Sequence, residues 1–416
     1  MSDSLYCALA SNSISFGPHG GSRPCCAVDT YFWQESKNVL PDYNNKIIEW
    51  FNNTDMVAIR SSLNSGKWNP VCNMCKTREM HGQASTRQIF NDTLQRVEET
   101  TGRNWRDSNN TITDLSNIFL LDITVGNKCN SACLMCNDSS SSLWAKEQEE
   151  ITGNKFTSLN PNWFSEEHVP ELIDNLPNLQ AIQFVGGEPT ISEAHVFLLK
   201  RLIDQGRSKD ITLGYVTNLT GVSPDLLELW SHFSTKHITI SIDGVGLVNE
   251  YIRYPFKWEK VVKQLDNLKS IAKGGGYNIN LSHTITSLNL LTIDTMFEWW
   301  EGQVASGCGI IPSLPHMQCV NNPDYFNPIY MPKEMKEEAY ESLQRFEIFT
   351  IKNRMHSKYL PAINNIRLNI LEAEVNEEER KAAWLRMQNF LISLDKYRNR
   401  DIFKYLPFME KYWIKE

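Results

Sequence analysis

The chain has 416 residues, 41% of them hydrophobic, and a formal net charge of −8. That length allows two or three domains with a sizeable core, and the acidic balance argues against a broad nucleic-acid-binding face. No apolar run approaches the roughly 18 to 20 residues that span a bilayer, and Met1 to Tyr6 lacks the basic and apolar segments of a secretory signal. Ten cysteines, several grouped as C-x₂-C and C-x₃-C-x₂-C, read as metal ligands in a reducing compartment rather than as a disulfide framework. The expectation is a cytoplasmic metalloprotein without a membrane partner.

Residues 1–112 hold Cys7, Cys25, Cys26, Cys72 and Cys75. Ile14 to Cys25 reads as a strand and a glycine turn leading into a cysteine, as in a small hairpin. A lone C-x₂-C such as Cys72 and Cys75 is common to zinc, redox and iron–sulfur sites. Joined to Cys7 and the Cys25-Cys26 pair, it supplies the four thiolates of a closed site. Cys7, Cys25, Cys72 and Cys75 are the expected ligands, with Cys26 as a substitute for Cys25 and zinc as the alternative to a cluster. Free core thiols are the bland reading. Phe90, Leu94 and Val97 fall at helical intervals within an amphipathic segment from Phe90 to Glu99.

The apolar run Ile118 to Val125 reads as a buried strand, and it leads directly into Cys129-Asn-Ser-Ala-Cys133-Leu-Met-Cys136. Iron–sulfur clusters usually take four thiolates. Three on one loop can hold three irons of a 4Fe-4S cluster and leave the fourth open to a substrate or cofactor. Structural zinc prefers four ligands in two pairs. A helix follows from Trp144, so the loop lies at the carboxyl end of a strand, where barrel enzymes build their sites.

From about 113 to 325, strand-like and helix-like segments alternate, the mark of a parallel α/β architecture. The expected strands are Leu179 to Val185, Ile211 to Val216, His237 to Ile242, Tyr277 to Ile285 and Gly307 to Pro312. The first of these ends in Gly186-Gly187-Glu188-Pro189, and glycine pairs at strand ends allow close backbone approach. Thr217-Asn218 and Asp243-Gly244 end two others. Six strands would leave a barrel open on one side, which suits a large substrate. Cys308 and Cys319 read as buried fillers or, alternatively, as hydrogen-atom donors. Residues 326–416 read as helical, with helices over Lys333 to Lys352, Leu360 to Val375 and Glu377 to Ile392, a packing element, a lid or a dimer surface.

The cysteine loop, its strand and the Gly-Gly-Glu-Pro turn about fifty residues on resemble the radical S-adenosylmethionine (SAM) enzymes. The residue before the third cysteine is often aromatic there and is Met135 here. The resemblance implies a partial (β/α)6 TIM-like barrel whose Cys129, Cys133 and Cys136 hold the catalytic 4Fe-4S cluster. It implies that Gly186, Gly187, Glu188 and Pro189 contact the SAM amino group, for which carbonyls and a carboxylate are suitable acceptors. It places Asn218 at a neighbouring strand end, Ser241 and Asp243 toward the ribose and methionine, and Arg253 toward the carboxylate; a turn-capping Asp243 and a solvated Arg253 are the alternatives. The N-terminal cysteines, with Gly82, Ser85 and Arg87 after them, resemble the SPASM and twitch auxiliary-cluster modules. In many relatives that module follows the barrel; here it precedes it.

The resulting expectation is an enzyme in three regions: an auxiliary module (1–112), a barrel (113–325) and a helical tail (326–416). It would cleave SAM reductively, with a reductant such as flavodoxin or ferredoxin, and take a hydrogen atom from a peptide or protein. A nucleotide or small-metabolite substrate, a non-catalytic iron–sulfur electron carrier and a zinc-binding interaction protein are the other readings.

Overall fold

The computed structural model of the chain describes residues 5–18, 20–28, 43–80, 84–106, 109–155 and 163–414. Gly82 lies outside the described residues. The fold is mixed α/β, with an eight-stranded, mostly parallel sheet and a helical C-terminal region. The strands are β1 (Ser13–Phe16), β2 (Ser22–Arg23), β3 (Leu120–Thr124), β4 (Ala181–Val185), β5 (Thr212–Thr217), β6 (Thr235–Ser241), β7 (Tyr277–Ile285) and β8 (His316–Cys319), and their order in the sheet is β2-β1-β3-β4-β5-β6-β7-β8. No described helix is long and apolar enough to cross a membrane.

The chain divides into two compact units. One comprises Met1–Cys129, Thr157–Tyr215 and Ser223–Lys236; the other comprises Asn130–Phe156, Val216–Val222 and His237–Glu416. In the first unit the N-terminal hairpin forms as its glycine turn suggests: β1 and β2 are antiparallel, closed by a Gly17 N–H to Gly21 carbonyl bond of 2.8 Å. β1 also pairs parallel with β3, so the hairpin extends the main sheet. β3 pairs with β4, and β4 with β5, both parallel. Their apolar residues Leu121, Ile123, Ile182, Phe184, Leu213 and Tyr215 face one side and are at most 1% exposed. This burial is the main stabilisation of the unit, at about 1.5–3 kcal/mol for each large side chain.

The helix Thr86–Thr101 begins where chemistry dictates. Ser85 and Gln88 form a reciprocal capping box, and Gly102, at φ +66°, ends the helix in a left-handed turn. Its Leu94 packs with Leu9, Trp105 and Phe119 in a buried cluster that touches Cys7 and Cys25.

In the second unit β7 and β8 are parallel, with Ser282 opposite His316. Here the strand expected at Gly307 to Pro312 is corrected. Those residues contribute an isolated bridge from Ile310 to Ile279, and the edge strand is His316–Cys319. The glycines at 307 and 309 flank a turn, with Gly309 at φ +80°, and break the extended run. Of the tail helices, Lys333–Lys352 forms over the expected span. The next expected helix, Leu360 to Val375, is instead a helix His356–Ile366 followed by a π turn Arg367–Leu371. The last runs on to Arg398, with Asn376 capping its N-terminus, three glutamates in its first turn, and Lys396 and Arg398 in its last.

Candidate functional site

The root of the cysteine loop belongs to the first unit, where the turn after β4 docks on it through the backbone. Gly187 N–H donates to the Gly126 carbonyl at 3.0 Å, and Glu188 N–H donates to the Lys128 carbonyl at 2.9 Å. Only glycine fits here. A Cβ on Gly187 would stand 2.3 Å from the Lys128 oxygen, and one on Gly186 would stand 2.8 Å from the Gly126 oxygen. Gly186 is also at φ +132°. The glycine pair thus brings two backbones together. Glu188, 1% exposed, accepts from the Thr190 hydroxyl at 2.6 Å and the Thr190 N–H at 3.2 Å, and so caps the short turn Pro189–Ile191.

The rest of the loop belongs to the second unit. Ala132 N–H donates to the Tyr254 carbonyl at 2.8 Å and Leu134 N–H to the Ile252 carbonyl at 3.0 Å. Ser141 Oγ donates to the Ser131 carbonyl at 2.6 Å. Asn218, 8% exposed, donates to Asn130 Oδ1 at 2.8 Å and accepts from the Thr220 hydroxyl, while Asn130 donates back to Thr220. This triangle fixes the residue that follows Cys129.

Arg398, from the end of the last long helix, reaches the same loop. Its guanidinium donates to the Ala132 carbonyl at 2.7 Å and to both oxygens of Glu147 at 2.7 and 2.6 Å, and it lies over the Tyr254 ring at 4.2 Å. The two charged side chains are 2% and 4% exposed. The pair is therefore desolvated, and each partner is needed to compensate the other.

Asp243 and Arg253 serve each other. Arg253 Nε stands 2.6 Å from Asp243 Oδ2, and Asp243 Oδ1 accepts from the Thr284 N–H at 2.7 Å. Asp243 is wholly buried, and this strand-end carboxylate holds an arginine. Arg253 Nη1 lies 3.8 Å from Cys133 Sγ, which corrects the alternative of a solvated side chain. Burial works against its charge, but Asp243 and the Cys133 and Cys136 sulfurs outweigh that, and its pKa rises. Ser241 is half-buried at the end of β6. Cys308 is exposed on a turn, whereas burial pushes the Cys319 thiol up to about 12.

Cys7, Cys25, Cys72 and Cys75 line one cavity with Leu9, Leu63 and Arg87. Cys26 does not line it; it is exposed, with Asp122 and Arg23 as its charged neighbours. Cys72 ends a short 3₁₀ turn and Cys75 sits on the following helix. Arg87 is held by Glu79 at 3.0 and 2.7 Å and donates to the Tyr6 carbonyl beside Cys7 at 2.8 Å. That gives Glu79 and Arg87 a physical role: they brace the cavity wall. Among the described residues no three His, Cys, Asp or Glu side chains converge as a site for a single metal ion. A four-iron cube is larger than one ion, and its thiolates stand farther apart.

Arg398, Glu147, Asn130 and Thr220 were not legible as site residues, because their partners are distant in sequence. A charge inside an apolar strand, Asp122 in Leu120–Thr124, was the one visible flag that went unused.

Comparison with known proteins bears on this segment. The chain resembles solved structures of anSMEcpe with bound AdoMet (15% identity, TM-score 0.40, 57% of this chain and 62% of that one). It also resembles Streptococcus suis SuiB bound to S-adenosylmethionine (13%, 0.28, 52% and 50%) and SuiB bound to its precursor peptide SuiA (12%, 0.29, 60% and 62%). The chain thus spans less than two thirds of each of these structures. No curated protein matches. Residues 123–291, which carry the three-cysteine loop and the Gly-Gly-Glu-Pro turn, match the Radical SAM superfamily.

Proposed function

We propose that the protein is a radical SAM enzyme acting on a peptide or protein. The observation that carries this reading is the docking of Gly186 to Glu188 on the root of the cysteine loop, inside the segment that matches the family. The residues present suit the cofactor: three cysteines on one loop, with the Arg253 guanidinium 3.8 Å from the Cys133 sulfur. When bound, a reduced 4Fe-4S cluster supplies the electron that splits SAM into methionine and a 5′-deoxyadenosyl radical able to take a hydrogen atom from a C–H bond.

Cys129, Cys133 and Cys136 ligate the cluster in this reading. The carbonyls of the turn from Gly186 accept from the SAM ammonium, with Glu188 bracing that turn through Thr190. Asn218 and Arg398 fix the loop backbone, and Arg253, held by Asp243, lies beside Cys133. Cys7, Cys25, Cys72 and Cys75 hold a second cluster, in the pattern that the N-terminal resemblance implies.

The test is reductive cleavage of SAM by anaerobically reconstituted protein, read as 5′-deoxyadenosine. Product in the unmodified protein and none in the Cys129/Cys133/Cys136→Ala variant is the expected result. A colourless preparation with stoichiometric zinc would overturn the reading.

A further inference from the structure

One face of the first unit's sheet carries polar groups for which the catalytic reading has no use. Arg23 stands opposite Ser15, Ser15 opposite Asp122, Asp122 opposite Gln183, and Gln183 opposite Gly214. Residues in register project to the same side, so one row crosses β2, β1, β3, β4 and β5. The flanking row on this side is Ser13, Leu120, Ala181 and Thr212; Leu120 packs in the buried cluster with Leu94 and Trp105 and closes that end of the face.

The row's polar groups are only partly satisfied. Asp122 is 6% exposed; its Oδ2 accepts from the Ser15 hydroxyl at 2.6 Å and lies 3.9 Å from Arg23 Nη2. Among the described residues its Oδ1 accepts no hydrogen bond. Among the described residues Arg23 donates a hydrogen bond through Nε alone, to Ser15 at 3.2 Å. The Gln183 amide makes no hydrogen bond among the described residues. It lies over Gly214, where a Cβ would stand 2.1 Å from its Oε1. Asp122 Oδ1 is thus left open to a further donor.

We propose that this row binds amides, and that its ligand is an extended stretch of polypeptide. Asp122 accepts an amide N–H, Arg23 donates to a carbonyl, and Gln183 pairs with a further peptide group. The charges select this chemistry. Phosphate would meet Asp122, a metal cation or ammonium would meet Arg23, and a neutral group with donor and acceptor side by side suits both. No aromatic ring stands in the row or at the flanking positions named above to stack a nucleobase. Four strand spacings of roughly 4.8 Å span about 19 Å, room for five or six extended residues. The proposal rests on the peptide-modifying reading and names the residues that would take the substrate.

The experiment is affinity selection from a random heptapeptide library on reconstituted full-length protein, followed by titration of a retained peptide. Asp122→Asn and Arg23→Gln should each weaken binding about tenfold or more, as loss of a hydrogen bond to a charged group does. Gly214→Ala, which displaces Gln183, should weaken it a few-fold, and N-methylating the contacted amides of the peptide should do the same. Should Asp122→Asn not fold, Gln183→Ala and Gly214→Ala decide. Retention of no peptide, equal binding by the variants, or displacement by a nucleotide panel would overturn the proposal. Cleavage of SAM by the unmodified protein, assayed without peptide, reads the radical function separately. Its absence beside intact peptide binding would sink that reading and leave the amide site standing.

Discussion

The two cysteine groups are built in opposite ways. The N-terminal cavity is lined by Leu9, Leu63 and Val71, and burial pushes the Cys7 thiol up to about 11 and the Cys72 thiol up to about 12, with neighbouring thiols adding to both. Against this, backbone hydrogen bonds from Ala10 and Leu9 favour thiolate at Cys7, and Arg87 favours it at Cys7 and Cys72. The loop after β3 instead has a buried arginine against Cys133, and its backbone is held by hydrogen bonds from well beyond the barrel segment. An enclosed pocket suits a cluster that stays closed; a loop braced by polar groups suits one that must present an open position. The contrast lies in the surroundings, since both groups are simply cysteines at short spacing.

The sharpest way to break this comparison is to remove the loop thiols. Cys129/Cys133/Cys136→Ala should abolish SAM cleavage and remove about half the iron, leaving the N-terminal cluster with its own spectrum. An iron-free variant would mean that the cavity holds zinc or nothing. Within the cavity, Cys25→Ser should lose that remaining signal while Cys26→Ser keeps it, because only Cys25 lines the wall.

The next effect in size concerns the brace. Arg398→Ala strands a buried Glu147 and should lower stability by about 3–5 kcal/mol in denaturant titration. It should also release iron from the loop before the cavity, and equal release from both would separate stability from positioning. Gly187→Ala forces apart two backbones that a Cβ would bring to 2.3 Å, and should cost about 1–3 kcal/mol and weaken SAM binding in the same sample.

The last test concerns the sheet rather than the site, and near neutral pH its effect is small. His195 is fully buried, its Nε2 is 2.8 Å from the Tyr215 hydroxyl, and burial lowers its pKa from 6.5 to about 3. Unfolded chain takes up this proton below pH 6.5 and folded chain does not until about pH 3. Stability from this residue is therefore complete above 6.5 and falls as pH drops through that window, by at most about 1.4 kcal/mol per pH unit. His195→Gln should flatten that part of the profile in urea titrations; an unchanged slope would show that other groups set it.

Much was legible in the chain itself because the physics behind it is local. Alternation in Tyr277–Ile285, the helical spacing of Phe90, Leu94 and Val97 and the apolar run before Cys129 depend on neighbours a few residues away, and each element forms within a few positions of where it reads. The short-spaced thiols likewise raise the expectation of a metal whatever the fold. Tertiary structure alone decided what lies across from what: that Asp243 holds Arg253 beneath the surface, that Cys25 rather than Cys26 lines the cavity, and that Arg398 closes on a loop more than 250 residues before it. It also set Asp122 between Ser15 and Gln183. Such pairings come from strand register and helix packing, which depend on the whole chain folding, and no local spacing encodes them.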